Sequence, residues 1–261
     1  GFVNAGLLTL GQALWVLFGS NVGTTMTGWL VALAGLNFKI EALALPMIGV
    51  GMVLHFTGEG RRRGALGMTL AGFGVLFLGI DILKTTFTDL GGEMALPGGS
   101  GVLGVLAHVG AGALLTVLMQ SSSAALAVAL TAAQGGLLDI NDAAAVVIGA
   151  NIGTTFTALL AALGATPNAR RAAAAHVLFN LLTGAVALLL LPWLIDAIER
   201  VRDLMELEAA PAVTLALFHT AFNILGVVLM WPLAARLAAW LARRFRTTEE
   251  NEARPRHLDN T

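Results

Sequence analysis

Five stretches of this chain, residues 40–56, 65–83, 101–119, 172–191 and 212–231, run for 17 to 20 residues with almost no charge. A helix of that length rises about 1.5 Å per residue and crosses a hydrocarbon layer of about 30 Å. In such a layer the backbone must satisfy its own hydrogen bonds, so the spans can only be helices or closed strands, and 17 or more apolar residues in a row read as helix. The pattern predicts an all-α, polytopic membrane protein. Composition agrees: 57% of the 261 residues are apolar, 12% are charged, and mean hydropathy is +0.81. An average soluble domain has about twice that share of charge. A net charge of −1 gives no bulk attraction for a nucleic acid. The absence of Cys excludes disulfides, thiol catalysis and thiolate-held metals.

Loop charge orients the spans. Residues 59–63, residues 168–171 and the tail carrying Arg236, Arg243, Arg244 and Arg246 are basic, while loops 84–99 and 196–210 are poor in Lys and Arg or acidic. The positive-inside rule then puts the first three on the cytoplasmic side and the last two outside, in a multi-pass membrane protein. Trp193 and Trp231 fall near span ends, as interfacial aromatics do.

Two further apolar stretches, 1–34 and 120–163, are interrupted by Gly, Asn, Ser and Thr and are poor simple spans. Inside them a pattern occurs twice. Gly19-Ser20-Asn21-Val22-Gly23-Thr24-Thr25-Met26-Thr27 matches Gly149-Ala150-Asn151-Ile152-Gly153-Thr154-Thr155-Phe156-Thr157 at an offset of 130, and residues 1–34 and 131–164 share 14 identities at that offset. The loop assignment puts the end of the first copy outside and the end of the second inside. That predicts an inverted-topology repeat, an architecture typical of secondary transporters. Gln120-Ser121-Ser122-Ser123 precedes the second copy. Its counterpart would lie upstream of residue 1, so a Gln-Ser-Ser motif is expected in a preceding segment, and the chain by itself is not expected to transport.

These clusters carry the chemistry. Backbone that leaves helix geometry at membrane depth must line a cavity or be buried in protein, and Gly149 and Gly153 would permit such a break. Half-helices starting there aim N–H groups and positive dipole ends at an oxyanion. The hydroxyls and amides of Gln120, Asn21 and Asn151 donate to an anion, while their oxygens can ligate Na⁺. For an isolated Ser or Thr, back-bonding or close helix packing is the simpler reading. Two duplicated clusters favour a binding site. No carboxylate sits centrally in any long span, so a proton relay is poorly supported and Na⁺ coupling fits better. Asp139 and Asp142 lie in a Gly-rich turn and are expected to be solvated. His176 and His219 each head a His-x-x-Phe-Asn pattern whose members share a helix face. Interhelical hydrogen bonding is the preferred reading of that pattern, a proton or substrate role the other. His108 reads as a packing or hydrogen-bonding residue. Ser121 to Ser123 lack a nucleophile-elbow pattern and an acidic partner, and no phosphate-binding Gly-rich lysine loop occurs, so neither a serine enzyme nor an ATP-driven pump is indicated.

The QSSS stretch at 120–123 followed by Gly149-Ala150-Asn151-Ile152-Gly153-Thr154-Thr155 resembles the sodium-dependent phosphate cotransporter family (type II), over roughly residues 1–245. The similarity includes Gly72-Phe73-Gly74-Val75-Leu76-Phe77-Leu78-Gly79 and both His-x-x-Phe-Asn patterns. It implies discontinuous or re-entrant helices carrying the QSSS and GxNxGTT motifs. It also implies a symporter of inorganic phosphate with Na⁺ as coupling ion, working by alternating access, with no other metal, no organic cofactor and no enzymatic activity. On it, Gln120, Ser121, Ser122, Ser123, Asn151, Thr154 and Thr155 would bind substrate, and Asn21, Thr24, Thr25, Gln120 and Ser123 would bind the cation. Residues 1–100 would hold the remainder of the first repeat and 101–245 the second. Residues 246–261 would be a polar cytoplasmic tail leading toward a PhoU-like domain. The partners implied are phosphate, Na⁺ and the lipid bilayer. A carrier of another small oxyanion, an anion-permeable pore and a phosphate-sensing membrane protein are the alternatives.

Overall fold

The computed structural model describes residues 2–3, 5–35, 41–93, 101–206 and 210–245. All regular elements among them are helical: α1 (Leu10–Thr24), α2 (Met26–Gly35), α3 (Glu41–Thr57), α4 (Arg62–Glu93), α5 (Gly101–Met119), α6 (Ser122–Gln134), α7 (Ile140–Ala161), α8 (Pro167–Leu189), α9 (Leu191–Leu204), α10 (Pro211–Met230) and α11 (Ala234–Ala242), with a 3₁₀ turn at Trp231–Leu233. Six helices or helix pairs among the described residues are long and apolar enough to cross a membrane. The protein is an all-α, multi-pass membrane protein. The tail 246–261 lies outside the described residues.

Local chemistry sets the helix starts. Thr9 caps α1 in a capping box: its hydroxyl accepts from Gln12 N–H at 3.3 Å, and its own N–H donates to Gln12 Oε1 at 2.9 Å. At the position 130 residues on, Asp139 caps α7, accepting from the N–H groups of Asn141 and Asp142 at 2.8 Å each. Thr166 caps α8, whose first residue is Pro167.

Helix directions follow from paired contacts. Going along α5, His108 meets Asp142, Gly112 meets Val146, and Thr116 donates to the carbonyl of Ala150 at 3.0 Å. Both helices advance together, so α5 and α7 are parallel, and α6, which joins the end of one to the start of the other, runs back between them. The span expected at 101–119 is therefore the first arm of a helical hairpin whose second arm is α6. Its tip at Gln120 is level with Thr154 on α7. That is about seven residues, roughly 10 Å, short of the end of α7. α8 is antiparallel to α7, with Asn180 against Asn151 and Gly184 against Ile148 and Ile152. α1 advances with α8, its Phe18 stacked on Phe179 at 4.8 Å between ring centroids. α1 and α7, which carry the two motif copies, thus run in opposite directions.

Two apolar clusters hold the bundle. One joins α2, α6, α7, α9 and α10 around Leu130, Ile148, Leu215 and Phe222; the other joins α1, α8, α10 and α11 around Phe18, Phe179 and Leu241. α3 and α4 form a close antiparallel hairpin, Gly51 against Gly67 and Ala71, reaching the bundle through α6 and α2. α9 buries Leu191, Ile195 and Ile198 and shows Asp196, Arg200 and Asp203 outward, a one-sided pattern suited to lying along an interface. Val102, Leu103, Leu114 and Leu118 of α5 lie on the outside of the bundle.

Two sequence expectations are corrected. Gly149 and Gly153 do not break their helix; α7 is continuous from 140 to 161, and these glycines let α5 approach. A methyl group at Gly149 would overlap the carbonyl of Val109, and one at Gly153 would press on Ala113 and Thr116. In the first copy the helix turns at Thr25, between α1 and α2. Asp142 is not solvated: it is buried, and its Oδ1 lies 3.2 Å from Nδ1 of His108. Asp139, by contrast, is exposed as expected, and it also caps α7.

The paired glycines give a test. Gly19 stands where Gly149 does at the offset of 130, yet open space surrounds it. Gly149→Ala is expected to lower stability by roughly 1–3 kcal/mol through overpacking. Gly19→Ala should raise it by about 0.5 kcal/mol or more through helix propensity. Thermal unfolding of the purified variants in detergent checks both signs.

Candidate functional site

The site begins with how α5 ends. Gln120 has φ of +52°, and Ser121 is extended at φ −153° and ψ 110°. Ser121 N–H donates back to Thr116 O at 3.2 Å, closing the helix in the manner of a Schellman turn with Gln120 in the position glycine usually takes. A left-handed conformation costs a non-glycine residue about 1–2 kcal/mol. Ser121 then caps α6, its hydroxyl accepting from Ala124 N–H at 3.2 Å. The N–H groups of Ser122 and Ser123 fall in the first turn, where a helix offers no acceptor, so the positive end of α6 points into the bundle.

That end meets a small cavity of about 10 Å³ lined by Thr24, Ser122, Ser123, Leu126, Val147, Ala150, Asn151 and His219. It brings together the two motif copies (Thr24 and Asn151) and the QSSS stretch (Ser122 and Ser123). Asn151 is held by donating its Nδ2 to Oδ1 of Asn180 at 2.8 Å, and Asn180 donates to the carbonyl of His176 at 3.1 Å. Thr27 donates to Ser123 Oγ at 3.2 Å, tying α2 to the start of α6. No carboxylate, Lys or Arg lines this cavity, and the described residues contain no group of three or more His, Cys or acidic side chains able to hold a metal ion. Its donors and acceptors are hydroxyls, amides, one imidazole and a helix end.

The other expected site residues are placed elsewhere. Gln120 is exposed at the hairpin tip. Ser121 is spent as a cap. Asn21 is buried and donates to the carbonyl of Leu17 at 3.0 Å. Thr25 donates to Val22 O at 2.7 Å, and Thr155 is buried one turn beyond Asn151. Thr154 donates to Asn151 O at 2.6 Å, and Thr24 to Asn21 O at 2.7 Å, the same back-bond in both copies. Sequence reasoning passed over Thr27, though it ends the repeated motif, and preferred interhelical hydrogen bonding to a proton or substrate role for His219. A larger crevice of about 290 Å³ between α1, α7 and α8 is walled almost wholly by Ala, Val, Leu and Phe beside His176. It lacks the donors that an oxyanion needs.

Membrane carriers place their sites where helices are interrupted within a bundle, and here a helical hairpin tip meets an uncharged polar cavity between helices. The comparisons define the protein further. Residues 1–85 and 103–230 match the Na⁺/Pi-cotransporter family, and the chain belongs to that family. It is 31% identical over 242 residues to the uncharacterized protein YqeW of Bacillus subtilis, covering 89% of this chain and 73% of that protein. It is 27% identical over 265 residues to a Salmonella typhimurium protein named "Putative inorganic phosphate export protein YjbB", covering 99% of this chain and 46% of the relative. Over 147 residues it is 35% identical to the human sodium-dependent phosphate transport protein 2B, covering 52% of this chain and 21% of that one. The chain therefore spans less than half the length of the latter two relatives. No solved structure matches.

The hairpin tip separates two roles of Gln120. Gln120→Gly removes the left-handed strain and is expected to raise stability by about 1 kcal/mol. If the side chain also serves substrate, the same variant loses phosphate transport while melting later. Unfolding and uptake measured on one preparation check both.

Proposed function

We propose that the protein is a sodium-coupled carrier of inorganic phosphate that works by alternating access. The observation that carries this reading is the convergence of Thr24, Ser122, Ser123 and Asn151 on one small cavity at the positive end of α6. Such a cavity offers an oxyanion N–H and O–H donors without a fixed positive side chain. The anion's charge then has to be offset by bound cations, and hydroxyl, amide and carbonyl oxygens suit Na⁺. Family membership and the phosphate-transport names of the relatives support the choice of phosphate. Gln120 at the tip, with Asn21, Thr25, Thr154 and Thr155 flanking the cavity, would join the site as it opens.

The carrier mechanism rests on an inverted repeat. Three observations support it: the opposite directions of α1 and α7, their caps at Thr9 and Asp139, and the shared back-bonds of Thr24 and Thr154. The second repeat would occupy residues 101–245. In the plasma membrane the basic segments 59–63 and 168–171 would face the cytoplasm. The end of α11 shares that face, since Arg171 at the start of α8 donates to the carbonyl of Ala242 at 3.1 Å. The cavity holds about one water-sized centre, so a bound phosphate requires α6 and α10 to part from α1 and α7. Opening alternately to each side would move the anion with its cations.

Carriers run either way, and the name of the Salmonella relative favours a second reading of the same chemistry, with net flux outward. Radiolabelled phosphate movement in liposomes carrying the full-length protein tests both. An inward Na⁺ gradient is expected to drive accumulation, and replacing Na⁺ by K⁺ to abolish it. Accumulation unaffected by K⁺ replacement contradicts coupling; flux that runs only outward whatever the gradient favours export.

A further inference from the structure

Beside the hydroxyls and the amide, the cavity has one titratable wall residue. His219 on α10 is 5% exposed and lines the cavity with Ser122, Ser123 and Asn151. Its ring makes no hydrogen bond among the described residues, and Nδ1 is fully enclosed without a partner. A buried polar atom left unpaired is costly, and such atoms are uncommon in native folds.

The expected role of His219 as an interhelical lock is not what the structure shows. α10 is locked to its neighbours by other side chains: Trp29 donates to Thr220 at 3.1 Å, and Arg202 donates to Thr214 at 3.1 Å. His219 contributes only its backbone carbonyl, which accepts from Asn223 at 2.8 Å, and a tilted contact with the Phe222 ring. If packing were the whole role, Leu or Phe would fill the space without the polar penalty. His176, which heads the same four-residue pattern on α8, lines the apolar crevice instead. The two histidines are alike in sequence and unlike in setting.

We infer that His219 is a substrate-contacting residue, its imidazole hydrogen-bonding the oxyanion held at the N-terminus of α6. This rests on reading the cavity as the phosphate site. The first-turn N–H groups of α6 and the Ser122 and Ser123 hydroxyls approach the ion from one side, and a ring N–H approaches it from α10. α6 lines the cavity with Ser122, Ser123 and Leu126 and α10 lines it with His219, so one bound ion bridges the two helices. The unpaired ring is thereby satisfied only when the cavity is occupied.

The test is transport kinetics of the full-length protein in liposomes. His219→Leu and His219→Phe both remove the ring nitrogens and keep bulk; His219→Gln restores an N–H. Losing a hydrogen bond to a charged group is expected to raise KM for phosphate about tenfold or more in the first two variants. The half-saturating Na⁺ concentration should stay within about twofold, and His219→Gln should recover most of the loss. Should one apolar variant fail to fold, the other carries the measurement; should neither fold, a KM for His219→Ala unchanged within about twofold overturns the inference. So does an unchanged KM in either apolar variant, or a loss confined to kcat that His219→Gln does not repair. Absence of phosphate transport in the unsubstituted protein overturns the functional reading itself, whereas intact transport with unaltered KM in the variants overturns only the role of His219.

Discussion

A helix that stops inside an apolar layer strands its last carbonyls and the next helix's first N–H groups where no water can reach them. The rest of this structure is arranged around one such stop, at Gln120 and Ser121. The carbonyl of Thr116 is closed off by Ser121 N–H, the Thr116 hydroxyl fixes the same turn to Ala150 on α7, and the Ser121 hydroxyl takes up Ala124 N–H. What is left over is the pair of N–H groups at Ser122 and Ser123, two residues that line the cavity. Satisfying every other group is what makes the remaining ones available to a ligand.

The packing of α5 on α7 serves that stop. Gly112, Gly149 and Gly153 bring the two backbones close enough for the Thr116 to Ala150 bond, and the buried His108–Asp142 pair fastens the far end of the same interface. The other arm, α6, is packed into the core through Leu126, Ala129 and Leu130, and its start is tied to α2 by the Thr27–Ser123 bond. The opposite run of α1 and α7 then places Thr24 from one motif copy and Asn151 from the other at the same depth.

Much of this was legible in the residues. The apolar runs at 40–56, 101–119, 172–191 and 212–231 became α3, α5, α8 and α10 within a few residues, because length and absence of charge are a sufficient signal for a buried or lipid-facing helix. The duplicated motif marked the two helices that meet at the cavity. What the sequence could not show was which Gly residues break a helix and which permit close approach. Gly149 and Gly153 look like breakers in isolation, and only the presence of Val109 and Ala113 against them decides otherwise. The break falls instead on Gln120, a residue with no preference for it. Likewise Asp142 sits beside Gly135 and Gly136 in a turn-like string, and its burial depends on His108, 34 positions away. Non-local pairing of this kind leaves no trace in local pattern.

The account's central claim is that residues from both motif copies and from the QSSS stretch enclose one ion. This chain has no Cys, so once any Cys elsewhere in the full-length protein is replaced, single cysteines can be placed in it without background. Thr24→Cys, Ser122→Cys and Asn151→Cys, each alone in the full-length protein, can be labelled with a small water-borne thiol reagent in Na⁺ or K⁺ medium, with and without phosphate. The account predicts that phosphate slows labelling at all three positions in Na⁺ and at none in K⁺. Labelling that ignores phosphate at all three, or protection at one position with the other two indifferent, would contradict a shared site.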